Sequence, residues 1–149
     1  MRSKKIVSIE NLKKKLKNSV KKISLVHGVF DIFHIGHKRH FEDAKSKSDI
    51  LVVSLTTDKF VNKGPSRPVF NQDLRAEMIS FFEAVDYVVL SNYESAIHVI
   101  NEIKPDYLLI NEPSLHYQKL LVELCKAKEI KIFCLCISKF ENTTIIVEN

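Results

Sequence analysis

The sequence predicts an α/β fold, a parallel sheet of five strands doubly wound by helices on both faces. Three observations carry that expectation. Short apolar runs rich in β-branched residues recur at 23–26, 49–55, 87–90, 107–110 and 130–137. They are continuous rather than alternating, which suits strands covered on both sides. Between them lie segments with apolar residues at helical spacing. The regular alternation of the two kinds joins parallel strands by right-handed crossovers. The expected strand order is 3-2-1-4-5, a Rossmann-like sheet whose ligands lie beyond the C-terminal strand ends where the winding reverses, beside the first strand.

Taken in order, Ser8 caps a first helix in which Ile9, Leu12, Leu16 and Val20 form one apolar stripe against a lysine-rich face. The strand at 23–26 delivers His27 and Gly28, and Gly28 permits either a close backbone approach to a ligand or a positive φ. A helix over 37–47 follows, with Phe41 and Ala44 on one side. The strand over 49–55 ends at Thr56-Thr57-Asp58, polar groups at the same sheet edge. Gly64-Pro65 and Arg67-Pro68 oppose regular structure and make 63–68 a loop. The spacing then predicts a helix over 72–83 with Leu74, Met78, Phe81 and Phe82 inward, and further helices over 95–103 and 115–127.

Chemistry concentrates in Gly28-Val29-Phe30-Asp31-Ile32-Phe33-His34-Ile35-Gly36-His37. Here a strand, a turn, an aspartate and two histidines lead into a helix. A helix start offers unpaired backbone N–H groups and the positive end of the macrodipole, so an anion there would meet amide donors and two imidazoles together. This is a phosphate-binding arrangement. His27, His40, His98 and His116 have no such context and are expected to be structural. Asp31 is open between orienting a histidine, positioning an acceptor, lying near a metal ion and simply forming the turn.

Together with Lys63-Gly64-Pro65-Ser66-Arg67-Pro68-Val69, then Leu74-Arg75, then Glu83-Ala84-Val85-Asp86-Tyr87-Val88-Val89, this stretch resembles the nucleotidylyltransferase superfamily with its His-x-Gly-His motif. That group includes glycerol-3-phosphate cytidylyltransferases and heptose-1-phosphate adenylyltransferases, and the blocks are most similar to the heptose-1-phosphate branch. The resemblance implies transfer of AMP or CMP from ATP or CTP to a sugar phosphate or polyol phosphate, by direct in-line displacement with release of pyrophosphate. It also implies Mg²⁺ held mostly by phosphate oxygens and water, a role in carbohydrate biosynthesis, and an enzyme of a kind that often forms homodimers. His34 and His37 would bind the phosphates, and Lys63 and Arg75 would serve the triphosphate and the departing pyrophosphate. Gly28, Val29, Phe30, Asp31 and Gly36 would line the nucleotide site. Arg67 is open between assisting them and closing the turn.

Asn142-Thr143-Thr144-Ile145-Ile146 is similar to the family's Ser-Thr-Thr block, in which hydroxyls at a helix start meet phosphate. This adds Thr143 and Thr144 to the nucleotide-binding set, with Asn142 where serine is usual. After the fourth strand the family carries a Lys-Gly or Met-Gly turn, whereas this chain has Asn111-Glu112-Pro113-Ser114. Glycine's close approach is lost and Glu112 brings negative charge towards the phosphates. These departures sustain a second reading, a nucleotide-binding or assembly module without turnover.

The remaining composition sets limits. A chain of 149 residues, 45% of them hydrophobic, is expected to form a single domain around one core. Net charge is +5, yet nine Lys/Arg and only Glu10 fall in the first 22 residues, leaving a mildly acidic body. That basic helix lacks interleaved aromatics and any nucleic-acid motif, so neither nucleic acid nor membrane is expected as a partner. No apolar run reaches the ~18 residues of a membrane span, and no signal peptide is evident, so a soluble, cytoplasmic protein is expected. Cys125, Cys134 and Cys136 lack further ligands at zinc spacing and are expected to pack in the core. No set of carboxylates forms a metal cage. A class I aminoacyl-tRNA synthetase shares the His-x-Gly-His turn, but the length leaves no room for tRNA-reading parts.

Overall fold

The computed structural model describes residues 3–110, 115–135 and 144–146. Its elements alternate as expected: α1 (Ile9–Leu16), β1 (Ile23–Gly28), α2 (Ile35–Ser46), β2 (Ile50–Thr56), α3 (Gln72–Ser80), β3 (Tyr87–Ser91), α4 (Ile97–Ile103), β4 (Tyr107–Ile110), α5 (Leu115–Ala127), β5 (Lys131–Leu135) and β6 (Thr144–Ile146). The sheet order is β3-β2-β1-β4-β5-β6. The first five strands are parallel in the order expected, and β6 adds an antiparallel edge strand beside β5. Thr144 therefore opens a strand and not a helix, while Thr143 and 111–114 lie outside the described residues. Cys136 lies outside them too, and Cys125 is buried in the core as expected.

The strands sort their side chains by period two onto two helical layers. Leu25, Val52 and Leu108 meet Leu12 of α1, Val99 and Ile100 of α4 and Leu121 of α5. Val26, Leu51, Val53 and Leu109 meet Phe41 and Ala44 of α2 and Ala76 and Ile79 of α3. Every residue of β2 is buried, which accounts for its unbroken apolar run. β1 lies between β2 and β4, so the winding reverses at its C-terminal end. Strand starts are held from outside the ladder: Asp106 Oδ2 accepts from the Ile23 amide at 2.8 Å and Asp86 Oδ2 from the Leu51 amide at 2.7 Å.

Two expectations need correction. Helix α1 stops at Leu16, because Lys17 leaves the helical region and Asn18 takes a φ of 65°, so Val20 is 98% exposed and outside the stripe. In α3 the inward residues are Arg75, Ala76, Ile79 and Ser80. Leu74, Met78 and Phe81 point outward, at 52, 50 and 77% exposed. The apolar residues of this segment fall on two opposite faces, and the acceptors that draw Arg75 inward choose between them.

His40 of α2 is buried, and burial lowers its pKa from 6.5 to about 4. Burial also lowers His27 and His37. Between pH 6.5 and 4 the unfolded chain binds protons that the folded chain refuses, so stability present above pH 6.5 is lost as the pH falls through that range. His40 alone accounts for about 3 kcal/mol of that loss. Urea unfolding at several pH values should show this slope, flattened in His40→Gln; equal stability at pH 7 and 4.5 would contradict it.

Candidate functional site

The site begins where β1 ends. Gly28 does not take a positive φ; instead a Cβ there would stand 3.0 Å from Cζ of Phe30, so the missing side chain makes room for that ring. The positive φ belongs to Phe30, at 50°. A bulky residue in the left-handed region persists only where its surroundings over-determine it. Here they do so from two sides.

Arg75 is the first. Its guanidinium is 2% exposed as a residue and lies beneath the turn. Nη1 donates to the carbonyls of Val29 at 2.6 Å and Thr56 at 3.0 Å, Nε donates to the carbonyl of Phe70 at 2.9 Å, and Nη2 pairs with Asp58 Oδ1 at 2.5 Å. The ends of β1 and β2 and the entry to α3 are thus tied to one cation. Asp31 is the second, 3% exposed. Oδ1 accepts from the amides of Val69 at 2.7 Å and Phe70 at 3.4 Å. Arg67 Nε approaches Oδ2 to 2.7 Å as an ion pair. Asp31 thus ties the turn to the loop at 67–70.

On this base stand the histidines. His34 is the N-cap of α2; its Nδ1 accepts from the Gly36 amide at 3.1 Å, and the His34 amide donates to Nδ1 of His37 at 3.3 Å. The two rings stack with centroids 3.9 Å apart. A ring nitrogen that accepts holds no proton, so each neutral imidazole carries its hydrogen on Nε2, away from the helix backbone. The result is a pair of adjacent N–H donors at a helix start. His37 also meets Phe30 edge-on at 5.2 Å and Phe33 at 5.0 Å, and Phe33 stacks on Phe82 at 4.6 Å, so aromatic packing fixes the ring. Burial, then His34, then Lys63 lower the His37 pKa to about 4, which keeps the ring neutral at pH 7. Lys63, on the loop where Gly64 takes a φ of 89°, is close enough for its charge to be felt by His37.

The structure therefore brings Gly28, Val29, Phe30, Asp31, His34, Gly36, His37 and Lys63 to one strand edge. Arg75 lies below that surface, committed to the chain's own carbonyls. Sequence reasoning did not give Asp58 its part as the carboxylate that receives Arg75, although Thr56-Thr57-Asp58 had marked the edge. His27 is structural, as expected: Nδ1 bonds Ser54 Oγ at 3.0 Å and Nε2 lies 2.9 Å from the Glu94 carbonyl, tying β1 to the loop after β3. Among the described residues no three His, Cys, Asp or Glu side chains gather to hold a metal ion, and none of the described helices is long and apolar enough to cross a membrane.

Because Arg75 holds backbone, its loss should register as instability and not only as altered chemistry. Arg75→Ala should cost about 3–5 kcal/mol in chemical denaturation, the usual result of stranding a buried charge partner and carbonyls. An unchanged unfolding midpoint would show that the guanidinium faces solvent.

Comparison with known proteins agrees with this geometry. The Cytidylyltransferase-like family matches residues 25–135. "Bifunctional protein HldE" of Aliarcobacter butzleri is 45% identical over 103 residues, covering 68% of this chain and 22% of that protein. Its counterpart of the same description in Helicobacter pylori J99 is 36% identical over 124 residues, covering 82% and 27%. The chain thus spans about a quarter of the length of these relatives. A crystal structure of the lipopolysaccharide core biosynthesis protein from Thermoplasma volcanium superposes with a TM-score of 0.69 at 25% identity, covering 81% of this chain and 99% of that one. Pantoate-beta-alanine ligase from Francisella tularensis shares the fold, with a TM-score of 0.66 at 18% identity over 87% of this chain and 65% of that one. On the family match and these identities, the chain belongs to the cytidylyltransferase-like family of nucleotidyltransferases.

Proposed function

We propose that this protein transfers AMP or CMP from a nucleoside triphosphate to a sugar phosphate or polyol phosphate. An oxygen of the acceptor phosphate attacks the α-phosphorus, a new P–O bond forms, and the bond to the bridging oxygen breaks as pyrophosphate leaves. The acceptor oxygen is already ionised at pH 7 and needs no base. What remains for the protein is alignment and an answer to the negative charge that gathers on the equatorial and leaving oxygens.

The observation that carries the reading is the stacked His34–His37 pair, with both Nδ1 atoms taken by backbone amides and both Nε2–H groups turned from the helix. Neutral donors accept a growing charge without the cost of an imidazolium left uncompensated in the empty site. Lys63 would supply a positive charge close to them, suited to the β- and γ-phosphates and to the product pyrophosphate. The turn Gly28, Val29, Phe30 and the backbone of Gly36, whose amide is held by His34 Nδ1, would form the wall against which the phosphate chain lies. Arg75 and Asp31 act as positioning residues for that wall. Thr143 and Thr144 would meet phosphate from the far end of the chain. Mg²⁺, when bound, would neutralise phosphate charge; with Asp31 engaged by Arg67 and the 69–70 amides, it would be held by phosphate oxygens and water, as this ion commonly is. The homology to proteins described as bifunctional HldE supports a sugar phosphate as the acceptor class.

Pyrophosphate release, measured with ATP and with CTP against a panel of sugar and polyol phosphates, tests the reading. One pair should turn over, and His34→Ala or His37→Ala should lower kcat by about 10²–10³, the usual loss for one transition-state donor. Nucleotide binding with no release from any pair would instead establish the module without turnover.

A further inference from the structure

Residues 6–10 precede the region that the family matches, which begins at residue 25, yet they build one wall of a cavity apart from the histidine turn. Ile6 bridges Val88 in parallel, the Val7 amide donates to the Val88 carbonyl at 3.0 Å, and the Val88 amide donates to the Lys5 carbonyl at 2.8 Å. This short run along the edge of β3 carries Ser8 and Glu10, at the start of α1, towards the strand's C-terminal end. There they share a cavity of about 470 Å³ with Ser91, Asn92, Tyr93 and His98. Ser91 is 2% exposed, and its Oγ has no hydrogen-bond partner among the described residues. It lies on the same face of β3 as Val89, which packs in the layer of α1 and α4, so its side chain points to the cavity's side of the sheet. A buried hydroxyl left unmet needs a reason, and its place in a cavity wall supplies one: a ligand hydroxyl to meet it.

We propose that this cavity binds the hydroxylated body of a sugar. Its volume falls within the ~300–1,000 Å³ of small-molecule sites. Among the described residues no lysine or arginine lines it and Glu10 does, which disfavours phosphate and other anions. Its polar groups come instead as the mixture of donors and acceptors that a row of hydroxyls needs. Ser8 Oγ accepts from the Asn11 amide at 3.2 Å, which leaves its hydrogen to donate. Asn92 Oδ1 accepts from Thr57 Oγ1 at 3.0 Å, which leaves Nδ2 to donate. Glu10 accepts, and Ser91 can do either. Tyr93 stacks on the His98 ring with centroids 4.4 Å apart, so the pair makes one braced ring wall for the C–H edges of a sugar. The rim is tied to the candidate site, because the Thr57 amide donates to the Ser91 carbonyl at 3.0 Å and His27 Nε2 lies 2.9 Å from the Glu94 carbonyl. β3 stands two strands from β1, about 10 Å at ordinary strand spacing. The sugar is then either the acceptor's own body, which rests on the nucleotidyl-transfer reading, or a free sugar held beside the site. The chemistry of the cavity is the same for both.

Titration of the 149-residue chain with unphosphorylated aldoses and open-chain polyols, followed by amide chemical shifts without any nucleotide, tests the assignment. Saturable shifts should appear over 8–10 and 91–98, while inorganic phosphate and adenosine leave those amides unmoved. Glu10→Ala should weaken the binding about tenfold, the usual effect of losing a hydrogen bond to a charged group. Ser91→Ala should weaken it several-fold while the unfolding midpoint holds or rises, because that hydroxyl has no partner to lose in the free protein. A merely structural Ser91 would move stability and leave sugar affinity alone. Pyrophosphate release then separates the two sources. If the sugar is the acceptor's body, both substitutions raise the acceptor's KM and leave that of the triphosphate unchanged; if free sugar binds and neither KM responds, it is a second ligand. No saturable shift with any sugar, a preference for inorganic phosphate or adenosine, or sugar affinity indifferent to both substitutions overturns the proposal. The binding arm uses no triphosphate, so a failure of turnover would contradict the transfer reading and leave this one standing.

Discussion

One buried cation organises the end of the sheet where the candidate site lies. The Arg75 guanidinium binds carbonyls from the ends of β1 and β2, from the entry to α3, and the carboxylate of Asp58. Removing such a charge from water is costly, and it is tolerated only because nearly every N–H is matched. The same demand for acceptors sets the rotation of α3, which sends Ala76 and Ile79 into the core and Leu74, Met78 and Phe81 outward. The shape of the turn and the exposure of the apolar face are thus two consequences of one interaction.

What the clamp holds in place is a strained Phe30, and through its ring, His37. Aromatic packing on one side and the His34 ring on the other leave His37 little freedom to turn. The capping bonds to Nδ1 then decide the tautomer. Each Nδ1 is met by a backbone donor and not by a carboxylate, which leaves Nε2 of both rings facing away from the helix backbone.

Much of this was legible in the residues. Continuous apolar strands gave the parallel sheet and its order, and the turn with two histidines before a helix marked the site. The parts that were not legible share a cause. Arg75 sits in a helix where an outward arginine and an inward one have the same spacing, and only the carbonyls of Val29 and Thr56, distant in sequence, distinguish them. Gly28 was open between positive φ and close approach; the ring that occupies its Cβ position belongs to a residue two places on. The antiparallel β6 rests on three residues, too few for periodicity to register, where a resemblance had suggested a helix start.

Phosphate binding as proposed requires His34 and His37 to be fixed as Nε2–H donors before any substrate arrives. Nitrogen-15 chemical shifts of the histidine rings at pH 7, with and without a nucleoside triphosphate, test this directly. Both rings should show the Nε2–H tautomer in the free protein, His37 should titrate near 4, and the triphosphate should raise that midpoint while leaving the tautomer unchanged. An Nδ1–H tautomer for either ring, or shifts indifferent to the triphosphate, would contradict it.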